Sequence, residues 1–302
     1  MKENLILQFA IFSLIAVGFL VRKLNIVTAQ GQKSLTNLVV DVILPCNIFQ
    51  AFLTADMDQI RDDGLWVFGI SLVFHIFCIF YGKLLFRKPP EDERKCLRFA
   101  ALCSNAGFLG NPVAEGLYGL EGLALANIYL IPMRTLMWSS GVALFSGSHD
   151  WKGTAKKVAT HPCIVAVFIG LIGMLLKLEI PELIMKPIGY LSSCNTATSM
   201  LVIGMILARL EPKQFLDKSV LLFSVHRMII LPTLVLVACA LLPVSITARN
   251  ICVILAAMPV AANTSIIADQ YNQNSLYATK LVVVSTLLSI PTTILWSTFL
   301  MG

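Results

Sequence analysis

Two prolines lie deep inside apolar stretches of this sequence, where each would interrupt a helix. Residues 110–114 read Gly-Asn-Pro-Val-Ala and residues 257–261 read Ala-Met-Pro-Val-Ala, which places the prolines at Pro112 and Pro259. Proline has no backbone N–H and its ring clashes with the preceding turn, so a helix kinks or breaks there. Asn111 suits a helix N-cap, and Pro112 suits the first position of the restarted helix. The methionine before the second proline is a poor cap.

An interrupted helix presents free backbone groups at the break, and such groups bind charged ligands. The start of the second half carries about half a positive charge and favours a carboxylate. The end of the first half presents carbonyl oxygens, which favour Na⁺. The two helix ends alone do not decide whether the ligand is an anion or a cation.

Asparagine side chains accompany both prolines. They are Asn105, Asn111 and Asn127 in the first half of the chain, and Asn195 and Asn263 in the second. A buried amide without a partner costs about 1–3 kcal/mol, so amides inside a membrane need hydrogen-bond partners or a wet cavity. Single prolines are common in membrane helices. Equivalent prolines with neighbouring amides in both halves instead favour a binding site built from two breaks.

Arg134 lies midway along an apolar stretch. A buried arginine needs a carboxylate, carbonyl groups or an anionic ligand. Arg134 therefore either pairs with Glu115 or contacts the ligand. Glu115 would fall in the first turn of the helix that restarts at Pro112, where a negative charge is favoured. It is a candidate for carrying a coupling proton, and a structural role near the outer surface fits the sequence equally well.

Asp41 and His226 are the other candidates for proton or ion coupling. Asp41 lies within an apolar stretch as a polar contact between helices or as a cation ligand. His226 and Arg227 lie about two turns inside another stretch, so they either snorkel to the interface or act as a gate or proton relay. His75 is interpreted as a packing residue. We expect no metal site, because the sequence has neither a C-x-x-C pair nor an H-E-x-x-H motif.

The composition indicates that a membrane surrounds these residues. Of 302 residues, 57% are hydrophobic and 13% are charged, whereas a soluble domain carries about 25% charged residues. This excludes a soluble enzyme, a nucleic-acid module and a disordered scaffold. A spanning helix needs about 20 apolar residues, which predicts ten spans in an all-α integral membrane protein. The predicted spans are Asn4–Val21, Ser34–Leu53, Leu65–Phe86, Cys96–Tyr118, Gly122–Phe145, Ala159–Leu176, Leu183–Ala208, Ser219–Pro243, Ala248–Asp269 and Leu276–Met301.

The charged loops predict the orientation and the division of the chain. Most lysines and arginines outside the spans fall in the odd-numbered loops, which places those loops in the cytoplasm and both termini on the outer face. A polar linker at 147–158 separates a first five-helix repeat, 1–146, from a second, 159–302. Five is odd, so the second repeat enters the membrane inverted, as in many secondary transporters.

At these residues the chain resembles the auxin efflux carrier family, which includes plant auxin exporters and bacterial permeases. The matching positions lie in both halves. They are Leu44-Pro45, Phe49, Asn105, Gly110, Pro112, Gly116, Tyr118, Gly119, Trp138, Ala257, Pro259, Ala268, Gln270-Tyr271-Asn272 and Ser289-Ile290-Pro291.

The resemblance implies a scaffold domain and a mobile transport domain, each drawn from both repeats, with an elevator-like movement and a homodimer. The fourth and ninth helices would cross at Pro112 and Pro259, with Asn105 as a substrate contact. The short central linker favours the bacterial permease branch and makes auxin itself a doubtful substrate. The residues expected to bind the substrate are Asn105, Asn111, Pro112, Asn127, Arg134, Pro259 and Asn263.

The sequence therefore predicts a secondary transporter of a small organic anion, such as a carboxylate, in the plasma (bacterial inner) membrane. It needs no cofactor, and coupling to H⁺ or Na⁺ stays open. The alternative is a Na⁺- or H⁺-coupled symporter or antiporter with a fold like that of bile-acid symporters, although the twin buried aspartates typical of an antiporter are missing. An intramembrane enzyme is not expected, because the sequence has no Gly-x-Ser-x-Gly-type serine.

Overall fold

A computed structural model describes residues 2–54, 57–146, 151–208 and 217–301. Within these ranges every regular element is a helix, and the one bridge of β type joins Ser104 to Val260. The helices are α1 (Lys2–Lys23), α2 (Ala29–Leu38), α3 (Leu44–Thr54), α4 (Met57–Leu85), α5 (Glu91–Leu102), α6 (Asn111–Leu136), α7 (Val142–Ser146), α8 (Trp151–Ala159), α9 (Pro162–Leu175), α10 (Glu182–Ser193), α11 (Asn195–Leu207), α12 (Lys218–Val225), α13 (Leu231–Ala240), α14 (Ile246–Ala256), α15 (Asn263–Gln270) and α16 (Ser275–Met301).

Seven helical segments in the described residues are long and apolar enough to cross a membrane, which makes the chain a multi-pass membrane protein. They are Leu5–Lys23, Ala29–Thr54, Asp62–Leu85, Ala106–Ser146, Glu182–Leu207, Lys218–Ala240 and Ser275–Met301. Seven is lower than the ten predicted spans because two predicted spans form short helices and two others share one long segment. Pro162–Leu175 and Ile246–Ala256 are apolar but shorter, and Ala106–Ser146 runs for 41 residues.

The 41-residue segment changes direction at Gly119. The backbone there has φ 63° and ψ −158°, inside a helix that is otherwise regular. Only glycine adopts such angles readily, because it has no Cβ. The segment is therefore two helical arms joined at one residue, and the predicted fourth and fifth spans both contribute to it.

Three prolines follow a widened helical turn and do not interrupt the helix. Three five-residue π-helical turns each end two residues before a proline. The pairs are Val39–Ile43 with Pro45, Ala106–Gly110 with Pro112, and His226–Ile230 with Pro232. A π turn places one more residue in the turn, which accommodates the missing N–H and the proline ring.

The break predicted at Pro112 is wrong in position. Pro112 lies in the first turn of α6, directly after the π turn Ala106–Gly110, so the helical run continues through it. The extended backbone lies earlier, where Cys103 has φ −112° and ψ 112°, between α5 and the π turn. Pro259, in contrast, does lie in a non-helical stretch, because α14 ends at Ala256 and α15 begins at Asn263. Both breaks therefore exist, and only the second contains its proline.

The most extensive helix contacts fall into two groups. In the first, α1 packs along α11 and α3 packs along α9. In the second, α4 packs on α6, while α14 packs on both α6 and α13. The α1–α11 pair is closest at Gly18 and Gly204, where a Cβ would lie 2.3 Å from the Leu201 carbonyl oxygen and 2.0 Å from the Ile15 carbonyl oxygen, respectively.

This contact predicts that Gly204→Ala destabilises the protein. The added methyl group would meet backbone atoms of α1 that have no room to move, and overpacking of this kind costs about 1–3 kcal/mol. The free energy of unfolding in mixed micelles measures the effect. Gly69→Ala is the matched control, because a Cβ there has nothing within 4 Å. Equal stability of the two variants would contradict the backbone contact.

Candidate functional site

The two breaks meet through their backbones. The Asn105 N–H donates to the Pro259 carbonyl at 2.7 Å, and the Ala261 N–H donates to the Cys103 carbonyl at 3.1 Å. Backbone groups freed by a broken helix must find hydrogen-bond partners inside a membrane. Here each break donates one backbone hydrogen bond to the other. The fourth and ninth helices were expected to cross at Pro112 and Pro259, whereas the backbone contact pairs residues 103–105 with 259–261.

A pocket of about 60 Å³ lies beside this contact. Asn105 and Arg134 line it from one side and Asn263 from the other, together with His161 before α9. The α15 helix starts at Asn263, and no side chain caps that start. Uncapped N–H groups at a helix start favour an anion. Three predicted binding residues, Asn105, Arg134 and Asn263, thus share one pocket.

Arg134 is the strongest charge in this pocket. Its side chain is 6% exposed, and Nη1 has no hydrogen-bond partner among the described residues. The guanidinium lies beside the π turn that follows the first break, because a Cβ at Gly107 would lie 3.7 Å from Nη2. The predicted alternative of an ion pair between Arg134 and Glu115 is wrong for the described residues. A buried guanidinium with a free N–H is suited to a carboxylate.

Glu115 instead contacts a separate polar cluster. Its Oε2 accepts a hydrogen bond from Asn47 Nδ2 at 3.5 Å. Asn47 also donates to Ser192 Oγ at 3.0 Å and accepts from Asn195 Nδ2 at 3.1 Å. These residues connect α3, α10 and α11 with the first arm of α6. Asn195, expected near the breaks, belongs to this cluster.

Asn111 and Asn127 pair with each other and do not line the pocket. Asn111 Nδ2 donates to Asn127 Oδ1 at 3.2 Å, and Asn127 Nδ2 donates to the Leu123 carbonyl at 2.8 Å. Both side chains are fully buried. The pair joins the two arms of α6 across Gly119, which indicates a structural contact. Pro112, beside Asn111, is also absent from the pocket lining.

Neither of the two remaining coupling candidates lines this pocket, although Val40 and Leu44, close to Asp41 in the sequence, do. Asp41 is exposed on the π turn between α2 and α3. His226 forms a hydrogen bond through Nδ1 with Tyr81 on α4, and its ring packs against Phe86. The described residues contain no group of three or more histidines, cysteines or acidic residues that could hold a metal ion.

A larger cavity of about 580 Å³ adjoins the pocket and shares Phe108, Ala262 and Asn263 with it. Lys33 lines this cavity from α2, and Asp269 lines it near the end of α15. These residues border the first and ninth loops, which the charge pattern predicts to be cytoplasmic. The cavity gives the pocket a route to one face of the protein.

Arg227 contacts both breaks, which the sequence interpretation did not predict. It is fully buried, so the expected snorkelling to the interface is wrong. Its Nε donates to the Met258 carbonyl at 3.2 Å, and its Nη1 donates to the Ala101 carbonyl at 3.0 Å. Arg227 thus joins the two breaks. The signal was available, because Arg227, like Arg134, lies within an apolar stretch close to a proline.

Comparisons with known proteins agree with a role in transport. The sequence model of a family described as Membrane transport protein matches residues 6–151 and 150–297. An uncharacterized transporter of Methanothermobacter thermautotrophicus is 28% identical over 302 residues, covering 96% of each chain. An uncharacterized transporter of Methanocaldococcus jannaschii is 24% identical, also covering 96% of each chain. A Rhizobium meliloti protein named "Putative malonate transporter" is 24% identical and covers 96% of this chain and 92% of that protein.

The family match extends over nearly the whole chain and confirms the resemblance to the auxin efflux carriers. The relatives are named as transporters and not as enzymes. Their lengths agree with that of this chain, and the spanning helices described above fit a transporter. The chain belongs to the membrane transport protein family.

Proposed function

We propose that this protein is a secondary transporter of a small organic anion and that Arg134 binds the carboxylate of its substrate. The observation that carries the proposal is the buried guanidinium with an unpaired N–H, beside the breaks of two helices. Asn105 and Asn263 are the amides next to it, and Pro259 contributes its carbonyl to the backbone contact. Asn111, Pro112 and Asn127 act by holding α6 in place.

The proposed substrate is a short mono- or dicarboxylate, with malonate as the first to test. The pocket volume of about 60 Å³ suits a molecule of a few heavy atoms better than an auxin-like aromatic acid. The Rhizobium meliloti relative, whose name refers to malonate, points to the same class. A dicarboxylate offers one carboxylate to Arg134 and a second to the uncapped start of α15.

We propose ten spans arranged as two inverted five-helix repeats, with the fourth and ninth crossing at their breaks. The packing supports this, since α1–α11 joins the first predicted span to the seventh and α9–α3 joins the sixth to the second. Exchanging the two repeats turns the α1–α11 pair into the α9–α3 pair, as two related repeats require. The sequence supports it too, because residues 131–139 and 290–297 both begin Ile-Pro and end Trp-Ser. The first is one residue longer, which fits the π turn at Met137–Gly141.

The same packing suggests how the substrate moves. Helices α1–α3 and α9–α11 would form the scaffold, and α4–α7 with α12–α16 would form the transport domain. Both cavities lie between these groups, with α2, α11 or α9 on one side and the breaks on the other. An elevator-like displacement of the second group would carry the pocket from the cytoplasmic cavity to the outer face. Homodimerisation through the scaffold stays part of this proposal, and mass photometry in nanodiscs tests it.

We place the protein in a bacterial inner membrane with both termini on the outer face. The distribution of lysine and arginine between the loops supports this orientation. An alkaline phosphatase fusion after the last residue is expected to be active, whereas a green fluorescent protein fusion there is expected to be dark. The opposite pattern would reverse the topology.

The experiment that tests the function is uptake into proteoliposomes. Labelled malonate, short monocarboxylates and an auxin-like aromatic acid are offered under imposed pH and Na⁺ gradients. We expect saturable uptake of short carboxylates and none of the aromatic acid. Uptake of none of them would reject the proposal. Uptake that requires a Na⁺ gradient would favour the alternative, a Na⁺-coupled symporter with the same interrupted helices.

Glu115 is the residue that we expect to couple transport to H⁺. Its carboxylate extends from the proposed transport domain to Asn47 on the proposed scaffold, so its protonation changes a contact that must break during movement. Glu115→Gln is expected to keep uptake and to flatten its dependence on pH between about pH 5 and pH 8. Glu91→Gln, the same substitution at the exposed start of α5, is the control. An unchanged pH profile in Glu115→Gln would remove this residue from coupling.

A further inference from the structure

Arg227 occupies a place of its own between the two interrupted helices. It lies on the π turn that precedes Pro232, and its side chain is fully buried. It lines neither the small pocket nor the large cavity described above. Among the described residues no aspartate or glutamate forms an ion pair with it. No carboxylate among the described residues therefore balances its charge; Nε and Nη1 donate to backbone carbonyls, and Nη2 has no hydrogen-bond partner among those residues.

The balancing groups are the C-terminal ends of two helices. Ala101, which accepts from Nη1 at 3.0 Å, lies in the last turn of α5. Met258, which accepts from Nε at 3.2 Å, lies two residues beyond the end of α14. Each helix end carries about half a negative charge, so the two together match one guanidinium. The rigid fork of an arginine is preorganised to donate to both carbonyls at once, whereas a lysine ammonium is a point charge on a flexible stem.

Carbonyl ends of interrupted helices are also where cation-coupled transporters hold Na⁺. A cation bound at these carbonyls would lie within a few ångströms of the guanidinium. Two positive charges so close in a medium of low dielectric repel strongly. The carbonyls that would bind a coupling cation already serve a side chain of the protein.

We propose that Arg227 is a fixed internal cation that joins the C-terminal ends of both interrupted helices and replaces a coupling Na⁺ there. If the protein transports carboxylates as proposed above, it follows that their uptake needs no Na⁺. This consequence rests on the proposed function. The inference makes Arg227 a positioning residue, since it acts on the breaks and not on the substrate.

The first test uses the unaltered protein. Uptake of labelled malonate is compared in Na⁺, K⁺ and N-methylglucamine at equal pH and membrane potential, and we expect rates within threefold of each other. The melting temperature in detergent is measured in the same three salts, since a bound ion raises it by mass action. We expect equal values within about 1 °C. A Na⁺-specific rise in rate of more than threefold, or in melting temperature, would overturn the proposal.

The second test removes the guanidinium and returns it. Arg227→Ala is expected to melt at a lower temperature, and guanidinium ions at low millimolar concentration are expected to restore part of the loss. Arg87→Ala, at an exposed position, is the control that should not respond. Arg227→Lys, which keeps the charge, is used if the alanine variant does not fold. Its melting temperature should lie between those of the wild-type protein and Arg227→Gln. A wild-type melting temperature in Arg227→Ala, or equal melting of Arg227→Lys and Arg227→Gln, would overturn the proposal.

Failure of this inference differs from failure of the transport function. If no carboxylate is taken up in any salt, the proposed substrate class is wrong. The melting temperatures still decide whether Arg227 or Na⁺ neutralises the helix ends.

Discussion

Arg134→Gln is expected to reduce carboxylate uptake by about thirtyfold or more. Removing one partner of a buried, charge-assisted contact costs about 2–5 kcal/mol, and every 1.4 kcal/mol is about tenfold in affinity. Glutamine keeps much of the side-chain volume and some of its hydrogen bonding. The loss of uptake therefore measures the contribution of the positive charge. The measurement is the initial rate of malonate uptake against concentration, from which KM and the maximal rate follow.

Two further variants make the Arg134 result specific. Arg134→Lys keeps the charge but not the two-pronged geometry, so we expect a loss between those of wild type and glutamine. Arg87→Gln removes an arginine from an exposed loop and should keep the wild-type KM. If Arg134→Gln has wild-type kinetics, the guanidinium does not bind the substrate, whatever its role in packing.

Gly107→Leu is expected to abolish uptake while the protein stays folded. Gly107 lines the pocket, and the nearest atom to an added Cβ is Arg134 Nη2 at 3.7 Å. A leucine side chain there would fill a pocket of about 60 Å³ without forcing the backbone apart. The expected result is a rate at background level and a normal elution profile in size-exclusion chromatography.

Gly69→Leu provides the matched control for the blocked pocket. Gly69 lies on α4 in open space, beside an apolar groove that the pocket does not reach. The same substitution there should change uptake less than twofold. Comparable losses in both variants would show that leucine acts through folding, and normal uptake in Gly107→Leu would show that the substrate binds elsewhere.

The class of the fold was predictable, because it depends on composition. A chain with 57% hydrophobic residues has no soluble alternative, and most predicted spans coincide with helices of the structure. The position of the first break was not predictable in the same way. Proline at Pro112 suggested a break, but a π turn absorbs it, and the extended backbone at Cys103 has no residue that marks it in the sequence.

The lining of the candidate pocket was predictable in part, for residue types that have few roles inside a membrane. Arg134, Asn105 and Asn263 lie together in the pocket, as their polarity inside apolar stretches predicts. Asn111 and Asn127 share that polarity, yet Asn111 Nδ2 donates to Asn127 Oδ1 across the bend at Gly119 and neither side chain lines the pocket. Sequence alone cannot separate these cases, because the partner of a buried amide is set by the fold.

The measurement that tests the central claim most directly is equilibrium binding of labelled malonate to the purified protein in detergent. It requires no gradient, no reconstitution and no completed transport cycle. The account predicts saturable binding to the wild-type protein, competition by other short carboxylates, and loss of binding in Arg134→Gln. Absence of saturable binding to the wild-type protein, or equal binding to both proteins, would contradict an anion site at the meeting point of the two interrupted helices.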